Sequence, residues 1–216
     1  ALLNNTSIDF FKKMGRTVHT VDNRYKSFSG KKVEFIRHDK YFPYILRVCN
    51  MLKQGKKVYA PVNSKKVGEK LMAYVKKKYP HIKVGMDSSE TESIPTSQWT
   101  EYDLFITTPT NVAGVSCNEE HFDLRMSYFT PQSCSAEMAS QMLFRVRNTK
   151  DDVDSIYILE PFMPYKPTTN DTLDKYIKEK DELNLNTGLK VLRSRDTIVK
   201  DDYYYIFRNY LKRINL

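Results

Sequence analysis

Short apolar runs alternate with stretches of helical periodicity between residues 41 and 159, and this alternation constrains the fold more than any other feature. Apolar residues recur at helical spacing over 42–52, 67–75 and 136–147. The predicted strands lie at 58–62, 82–85, 104–107, 124–129 and 156–159. Because strands that alternate with helices form βα units, the pattern predicts an α/β fold with a mostly parallel sheet flanked by helices.

Both ends of the chain carry patterns of a different kind. Near the start, Val18–Val21 and Lys32–Ile36 read as two strands around a turn, which predicts an N-terminal β-hairpin segment. Near the end, a linker at 160–169 with three prolines precedes two helical patterns, so we expect a C-terminal helical extension. The last helix has one apolar stripe, which favours a packing face over a base-stacking surface.

The charge of the chain favours a polyanionic partner. The formal net charge is +9 and the isoelectric point is about 9.3, which makes nucleic acid the first candidate, although composition alone fits a merely soluble basic protein equally well. No apolar run approaches the roughly 18 residues that a membrane span requires, so we expect no membrane partner. The three cysteines and four histidines are scattered without metal-ligand spacing, which favours a reducing compartment and no metal site.

Residues 141–147, Gln-Met-Leu-Phe-Arg-Val-Arg, carry the first candidate site. On a regular helix Gln141 and Arg145 share one face, from which a guanidinium can bind phosphate oxygens. Arg147 would point back toward the core, so we expect the helix to end or tighten near Arg145–Arg147. A solvated basic helix end that complements the helix dipole is the alternative, and for this segment alone it is the more frequent explanation.

Two predicted strand ends offer phosphate-binding groups. The turn Thr107–Ser116 presents hydroxyls, free backbone N–H groups and Gly114, which permits close backbone approach. Ser64 caps the helix after another strand and is followed by lysines. Ligands of open α/β sheets bind at this edge, but an ordinary loop is the alternative for each segment. The chain has no G-x-x-x-x-G-K-[ST] phosphate loop, so it cannot be a self-sufficient nucleotide hydrolase of that kind.

These segments occur in the order and spacing of the motifs of a known family. Residues 58–65, 107–116 and 141–147 resemble motifs IV, V and VI of the second RecA-like domain of superfamily 2 helicases. The sequences Thr-Pro-Thr…Ala-Gly-Val-Ser and Gln-Met-Leu-x-Arg-Val-Arg together most resemble those of the herpesvirus-type origin-binding protein helicases. Relatives of these helicases occur in other large DNA viruses, asfarviruses among them. Phe144 replaces the usual glycine and Asn148 stands where a second arginine often falls.

The resemblance implies a RecA-like fold and a composite ATP site. Arg145, with Arg147, would act as an arginine finger on ATP and Mg²⁺ held mainly by an absent first RecA-like domain, and such a finger is worth about 10³–10⁵ in rate. Gln141 would contact the phosphates or relay domain closure. Which arginine is the main finger stays open, because Arg147 stands one place earlier than the family pattern.

The resemblance also implies roles for the strand ends. Thr108, Thr110 and Gly114 would couple nucleic acid to the ATP cleft. Ser64 and Lys65 would touch the tracked strand. The expected partners are DNA, as a single strand or forked duplex, the preceding RecA-like domain of the same chain and other replication proteins.

The implied organisation has three parts. Residues 1–36 would be the tail of a preceding RecA-like domain or a linker, residues 37–162 the second RecA-like domain, and residues 163–216 the helical extension. The chain would then be the C-terminal motor domain of an ATP-dependent DNA helicase of viral replication, inactive as an ATPase alone and at work at replication sites in host cytoplasm or nucleus. A stand-alone basic α/β nucleic-acid-binding module and a replication scaffold remain as alternatives.

Overall fold

The computed structural model describes residues 5–19, 31–91, 93–109, 116–130, 133–134, 136–151, 153–159 and 211. Its elements are α1 Asn5–Lys13, β1 Lys32–His38, α2 Phe42–Lys53, β2 Val58–Pro61, α3 Lys65–Lys78, β3 Val84–Asp87, a 3-10 helix Thr96–Glu101, β4 Leu104–Thr107, β5 Leu124–Phe129, α4 Ala136–Leu143 and β6 Val153–Leu159. The predicted strands at 104–107 and 124–129 are confirmed as β4 and β5, and the strand predicted at 82–85 begins two residues later.

The described strands form one six-stranded sheet in the order β1-β6-β5-β2-β4-β3, and every pairing in it is parallel. Helices α2 and α3 pack on one face, against side chains such as Ala60 and Met126. On the other face, α4 packs against Phe129 and Ile156, and the 3-10 helix inserts Trp99 beside Tyr59. The prediction of an α/β fold with helices flanking a parallel sheet is therefore confirmed.

Local sequence sets the ends of the helices on the first face. Pro43 lies in the first turn of α2, where its missing N–H is tolerated, and Gly55 follows the helix with φ +75°, a conformation that glycine adopts without strain. Helix α3 begins after Ser64, and its last turn contains Lys76–Lys78, whose charges complement the negative end of the helix dipole. Gly68 allows α3 to lie close to the sheet, because a Cβ there would stand 3.0 Å from the methyl carbon of Met86.

The chain ends agree in part with the expectations. Lys32–His38 forms a strand where Lys32–Ile36 was predicted, and its described neighbour is β6, with which it pairs in parallel along its whole length. Of the other predicted strand, Val18–Val21, residues 18 and 19 are described and are not in a strand, whereas residues 20–30, with the predicted turn, lie outside the described residues. Leu211 is the one described residue of the expected C-terminal extension. It is helical and buried beside α4, as a packing face requires.

Candidate functional site: a buried arginine and a polar sheet edge

Helix α4 ends at Leu143, and the four residues after it, called here the post-helix segment (144–147), leave the helix beside the amino-terminal half of β5. The Cys117 N–H donates to the Arg145 carbonyl at 2.7 Å, and the Arg147 N–H donates to the Cys117 carbonyl at 3.0 Å. These bonds form a short parallel bridge between Cys117 and Val146. The post-helix segment is therefore fixed by backbone pairing and does not continue α4.

The side chain of Arg145 is buried and forms no ion pair with a described residue. It is 3% exposed, and its Nη1 and Nη2 atoms have no hydrogen-bond partner among the described residues. A cation that is buried without a partner is costly, so native structures rarely keep one without a functional reason. The guanidinium is therefore suited to accept an anion from outside the described part of the chain, in the bidentate manner that phosphate oxygens favour.

The other two residues predicted for this site lie apart from the Arg145 side chain. Gln141 is exposed on α4, and Arg147 is exposed at the end of the post-helix segment. The expectation that Gln141 and Arg145 share a helix face is wrong, because the helix stops before Arg145. The expectation that the helix ends near Arg145–Arg147 is confirmed, and Arg147 is exposed and does not take the inward direction that a continuous helix would have given it.

A second arginine on the same face of the sheet is fully paired. Arg125 of β5 donates from Nε to Asp154 Oδ1 at 2.6 Å and from Nη2 to Asp154 Oδ2 at 2.5 Å, and both side chains are completely buried. Its Nη1 donates to the Val146 carbonyl at 2.9 Å, and its guanidinium carbon lies 5.0 Å from the centre of the Phe144 ring. One buried ion pair thus touches the post-helix segment at two points.

Tyr59 connects the three predicted motif segments. Its phenol donates to the Met142 carbonyl at 2.9 Å and accepts from the Thr107 hydroxyl at 3.0 Å, since the single phenol proton is already in use. Burial raises the pKa of Tyr59 to about 12, although the Thr107 hydrogen bond and the nearby Arg145 charge act in the opposite direction. The phenol is therefore neutral at physiological pH and holds β2, β4 and α4 together.

The carboxyl edge of the sheet contains the residues predicted to contact nucleic acid. Ser64 precedes α3, is half-buried and makes no capping hydrogen bond with its side chain. Lys65 forms ion pairs with Glu69 at 3.6 Å and with Glu90, and the hydrogen bond that it donates to Glu90 raises the Lys65 pKa. Thr108 is buried and donates to the Asp87 carbonyl from its hydroxyl at 3.2 Å. Thr110 and Gly114 lie outside the described residues.

Asn63 fixes the next strand at this edge. Its side-chain amide donates to the Thr130 carbonyl at 2.7 Å, and its side-chain oxygen accepts from the Thr130 N–H at 2.8 Å. The same amide also lies 3.4 Å from the sulfur of Cys134. The ends of β2 and β5 are therefore clamped together immediately before Ser64.

Sequence reasoning missed Tyr59, Asn63, Arg125 and Asp154. A signal existed for the last two, because a charged residue inside or beside an apolar run that is predicted to be a buried strand requires a buried partner. No comparable signal identifies Tyr59 or Asn63, whose hydrogen-bond partners lie on segments that are distant in sequence.

The described part of the chain contains neither a cluster of metal-ligating side chains nor a helix that could cross a membrane. Among the described residues, no group of three or more His, Cys, Asp or Glu side chains is arranged to hold a metal ion. None of the described helices has both the length and the apolar character needed to cross a bilayer.

The sheet and its flanking helices define the RecA-like α/β fold of helicase domains. A structure of S. cerevisiae Dbp5 bound to RNA and ADP BeF3 superposes with a TM-score of 0.53 at 10% identity, over 91% of this chain and 53% of that one. The agreement at so low an identity concerns the fold alone.

The sequence itself matches a family. Residues 3–171 match the family described as origin of replication binding protein, and the chain belongs to that family. It is 27% identical over 221 residues to a protein of African swine fever virus (strain Badajoz 1971 Vero-adapted) whose name assigns it to a helicase/primase complex. A similarly named protein of isolate Tick/Malawi/Lil 20-1/1983 is 31% identical over 149 residues, or 64% of this chain. The chain spans 21% and 13% of the lengths of these two relatives.

Proposed function

We propose that this chain is the second RecA-like domain of an ATP-dependent DNA helicase that acts in viral DNA replication. In this proposal it closes on a phosphate-loop RecA-like domain that binds ATP and Mg²⁺, and it contributes arginine to the shared site. The proposed division keeps residues 163–216 as a helical extension, but it moves the start of the motor domain from residue 37 to Lys32 or earlier, because β1 pairs with β6 along its whole length. Family membership, the RecA-like fold and the helicase/primase names of the viral relatives support the proposal.

The buried guanidinium of Arg145 is the observation that carries the proposal. The helicase sequence pattern places an arginine at this position, and its two terminal nitrogens lack partners among the described residues. A phosphate group would supply the missing acceptors, and bidentate contact with guanidinium suits it. When ATP is bound, Arg145 would stabilise the charge that develops on the transferring phosphoryl group.

Reaching ATP requires the Arg145 side chain to be uncovered, since it is 3% exposed here. Arg147 is exposed and two residues away, so it is the candidate for first contact with the phosphates, while Arg145 engages after closure. Gln141 is exposed on α4 and would contact the partner domain or relay its closure.

The nucleic-acid side of the proposal rests on the carboxyl edge. Ser64 and Lys65 follow β2, and Thr108 follows the adjacent strand β4, so the three residues lie along one edge of the sheet. The amide N–H groups at the start of α3 can donate to a phosphate of the nucleic-acid backbone. The Ser64 hydroxyl can do the same, because it makes no capping hydrogen bond to the helix. We propose Thr110 and Gly114 as coupling residues of this edge on the basis of the helicase motif alone.

The test uses the polypeptide or complex that joins this chain to its phosphate-loop domain. Arg145→Ala should lower DNA-stimulated ATP turnover by about 10³–10⁵ while ATP still binds. The turnover of Arg147→Ala is measured in parallel, and the arginine whose replacement lowers turnover more is the main arginine finger. Arg47→Ala is the matched control, because Arg47 is an exposed arginine on α2 that pairs with Glu34. Turnover is followed by phosphate release, and ATP binding is followed with a fluorescent analogue.

The outcomes separate the motor from a simple binding module. Loss of turnover in Arg145→Ala with turnover retained in Arg47→Ala supports the composite site. Unchanged turnover in both Arg145→Ala and Arg147→Ala refutes it. ATP hydrolysis by the purified 216-residue chain alone would contradict the division of labour, since the chain has no phosphate loop.

A further inference from the structure

The Arg125–Asp154 pair is a completely buried ion pair in the described interior. Both side chains are fully buried, and two parallel hydrogen bonds of 2.6 and 2.5 Å join them. Arg125 lies on β5 and Asp154 on β6, two strands that are hydrogen-bonded neighbours. The proposed ATP chemistry assigns no role to either residue.

Stability alone does not account for this pair. Desolvation of two buried charges offsets most of their attraction, so apolar residues of similar volume often serve a protein interior equally well or better. The neighbouring cross-strand positions show that apolar side chains suit these strands, because Ile156 and Phe129 pack in the same face of the sheet. A role that needs the guanidinium itself is therefore indicated.

That role is visible in the third nitrogen of Arg125. With Nε and Nη2 held by Asp154, Nη1 is fixed in direction and donates to the Val146 carbonyl, which lies between Arg145 and Arg147. The guanidinium also lies over the ring of Phe144, the first residue after α4. Asp154 thus orients Arg125, and Arg125 contacts the post-helix segment at Phe144 and at Val146, the residues that flank Arg145.

We propose that Arg125, oriented by Asp154, is a positioning residue that sets the geometry of the post-helix segment and thereby of Arg145 and Arg147. The inference rests on the proposed function for its catalytic consequence, but not for its structural one. Neither residue touches ATP or nucleic acid in this scheme. The pair acts by fixing the Val146 carbonyl, and a displacement of an arginine finger by about 1 Å is enough to cost about 10²-fold in rate.

The test replaces the pair as a unit, because a single replacement would leave one charge buried. Arg125→Met combined with Asp154→Val approximately keeps the volume and removes both charges, so the fold is expected to persist. Asp151→Asn is the control, since it removes a partly exposed carboxylate that is paired with Lys56 and not with the post-helix segment.

Hydrogen–deuterium exchange on the 216-residue chain provides the first readout. In the double variant, the amides of Cys117 and Arg147 should exchange about tenfold faster, because the bridge between them loses its support. Amides of α3 should exchange at the wild-type rate in the same sample. Wild-type exchange at Cys117 and Arg147 in the double variant would overturn the inference.

ATP turnover in the assembled motor provides the second readout. We expect kcat to fall by about 10²-fold in the double variant, with KM for ATP and affinity for single-stranded DNA unchanged within about twofold. Wild-type kcat in a folded double variant would overturn the inference. If Arg145→Ala itself leaves turnover unchanged, the proposed function fails, and the exchange experiment still decides whether the pair positions the segment.

Discussion

Arg125 and Arg145 are both buried on the same face of the sheet, but they differ in the hydrogen bonds that their guanidinium nitrogens make. Arg125 uses Nε and Nη2 for Asp154 and Nη1 for the Val146 carbonyl. Arg145 has two terminal nitrogens without any partner among the described residues. The two arginines are linked through the backbone, because the carbonyl that accepts from Arg125 belongs to Val146, the residue directly after Arg145.

The difference shows how burial alone misleads as a guide to function. A buried arginine whose donors are all satisfied is part of the architecture, and its removal is felt first by the fold. A buried arginine with unsatisfied donors carries a desolvation penalty, and an acceptor from outside the described residues would offset that penalty. The first arginine therefore supports the second, and the same substitution at the two positions should have opposite effects on stability.

Substitution of each arginine by methionine tests this difference most directly. Arg125→Met leaves the Asp154 carboxylate buried without its arginine, which should destabilise the chain by about 3–5 kcal/mol. Arg145→Met removes an unpaired buried charge and should leave stability unchanged or raise it by about 1–3 kcal/mol. Urea unfolding of the 216-residue chain, followed by tryptophan fluorescence from the buried Trp99, measures both values.

An Arg47→Met variant controls for the loss of an exposed arginine, and its stability should change by less than about 1 kcal/mol. If Arg145→Met is as destabilising as Arg125→Met, Arg145 is a structural residue and the contrast between the two arginines disappears.

The fold was predictable because its signal is local and repeated. The runs at 104–107 and 124–129 are bounded by polar residues, and each is fully buried in the structure. Helix α4 shows where this reasoning fails. Its periodicity extends past Leu143, but the chain leaves the helix because the Arg145 carbonyl bonds to Cys117 and the Val146 carbonyl bonds to Arg125. Those partners are distant in sequence, so no local pattern reports them.

The candidate site was predictable to a smaller extent. The motif resemblance directed attention to Arg145 and Arg147, yet it gave no indication that one is buried and the other exposed. Lys65 was predicted as a phosphate contact, whereas its pairing with Glu90 depends on the loop after β3 reaching α3. Charge pairing of this kind is a property of the folded chain and cannot be obtained from residue spacing.

Tyr59→Phe tests the contact that joins the two regions, and its expected effect is intermediate. The substitution keeps the ring but leaves the Met142 carbonyl and the Thr107 hydroxyl without the phenol, which should cost about 1–3 kcal/mol in unfolding free energy. Because burial raises the Tyr59 pKa to about 12, the contribution is fully present below pH 10, the ordinary tyrosine pKa, and is lost as pH rises toward 12.

The difference between wild type and Tyr59→Phe should therefore be constant between about pH 7 and 9 and shrink at higher pH. Phe105→Leu is a useful comparison, since Phe105 packs in the same aromatic cluster without a polar group and its effect should not depend on pH. A Tyr59→Phe effect that grows with pH would contradict this assignment.

The smallest expected effect concerns nucleic-acid binding at the carboxyl edge of the sheet, where Lys65 forms ion pairs with Glu69 and Glu90. Glu90→Gln removes the closer of the two carboxylates that Lys65 contacts, leaves the ammonium group with Glu69 at 3.6 Å as its remaining ion pair, and lowers repulsion of phosphates. Affinity for single-stranded DNA should rise by about two- to fivefold, the range of one surface ion pair, with a salt dependence steeper by about 0.7 in log–log slope. Glu101→Gln is the control, because it removes an exposed carboxylate outside this edge. Equal gains in both variants, measured by fluorescence anisotropy at several salt concentrations, would show that net charge, and not release of Lys65, governs binding.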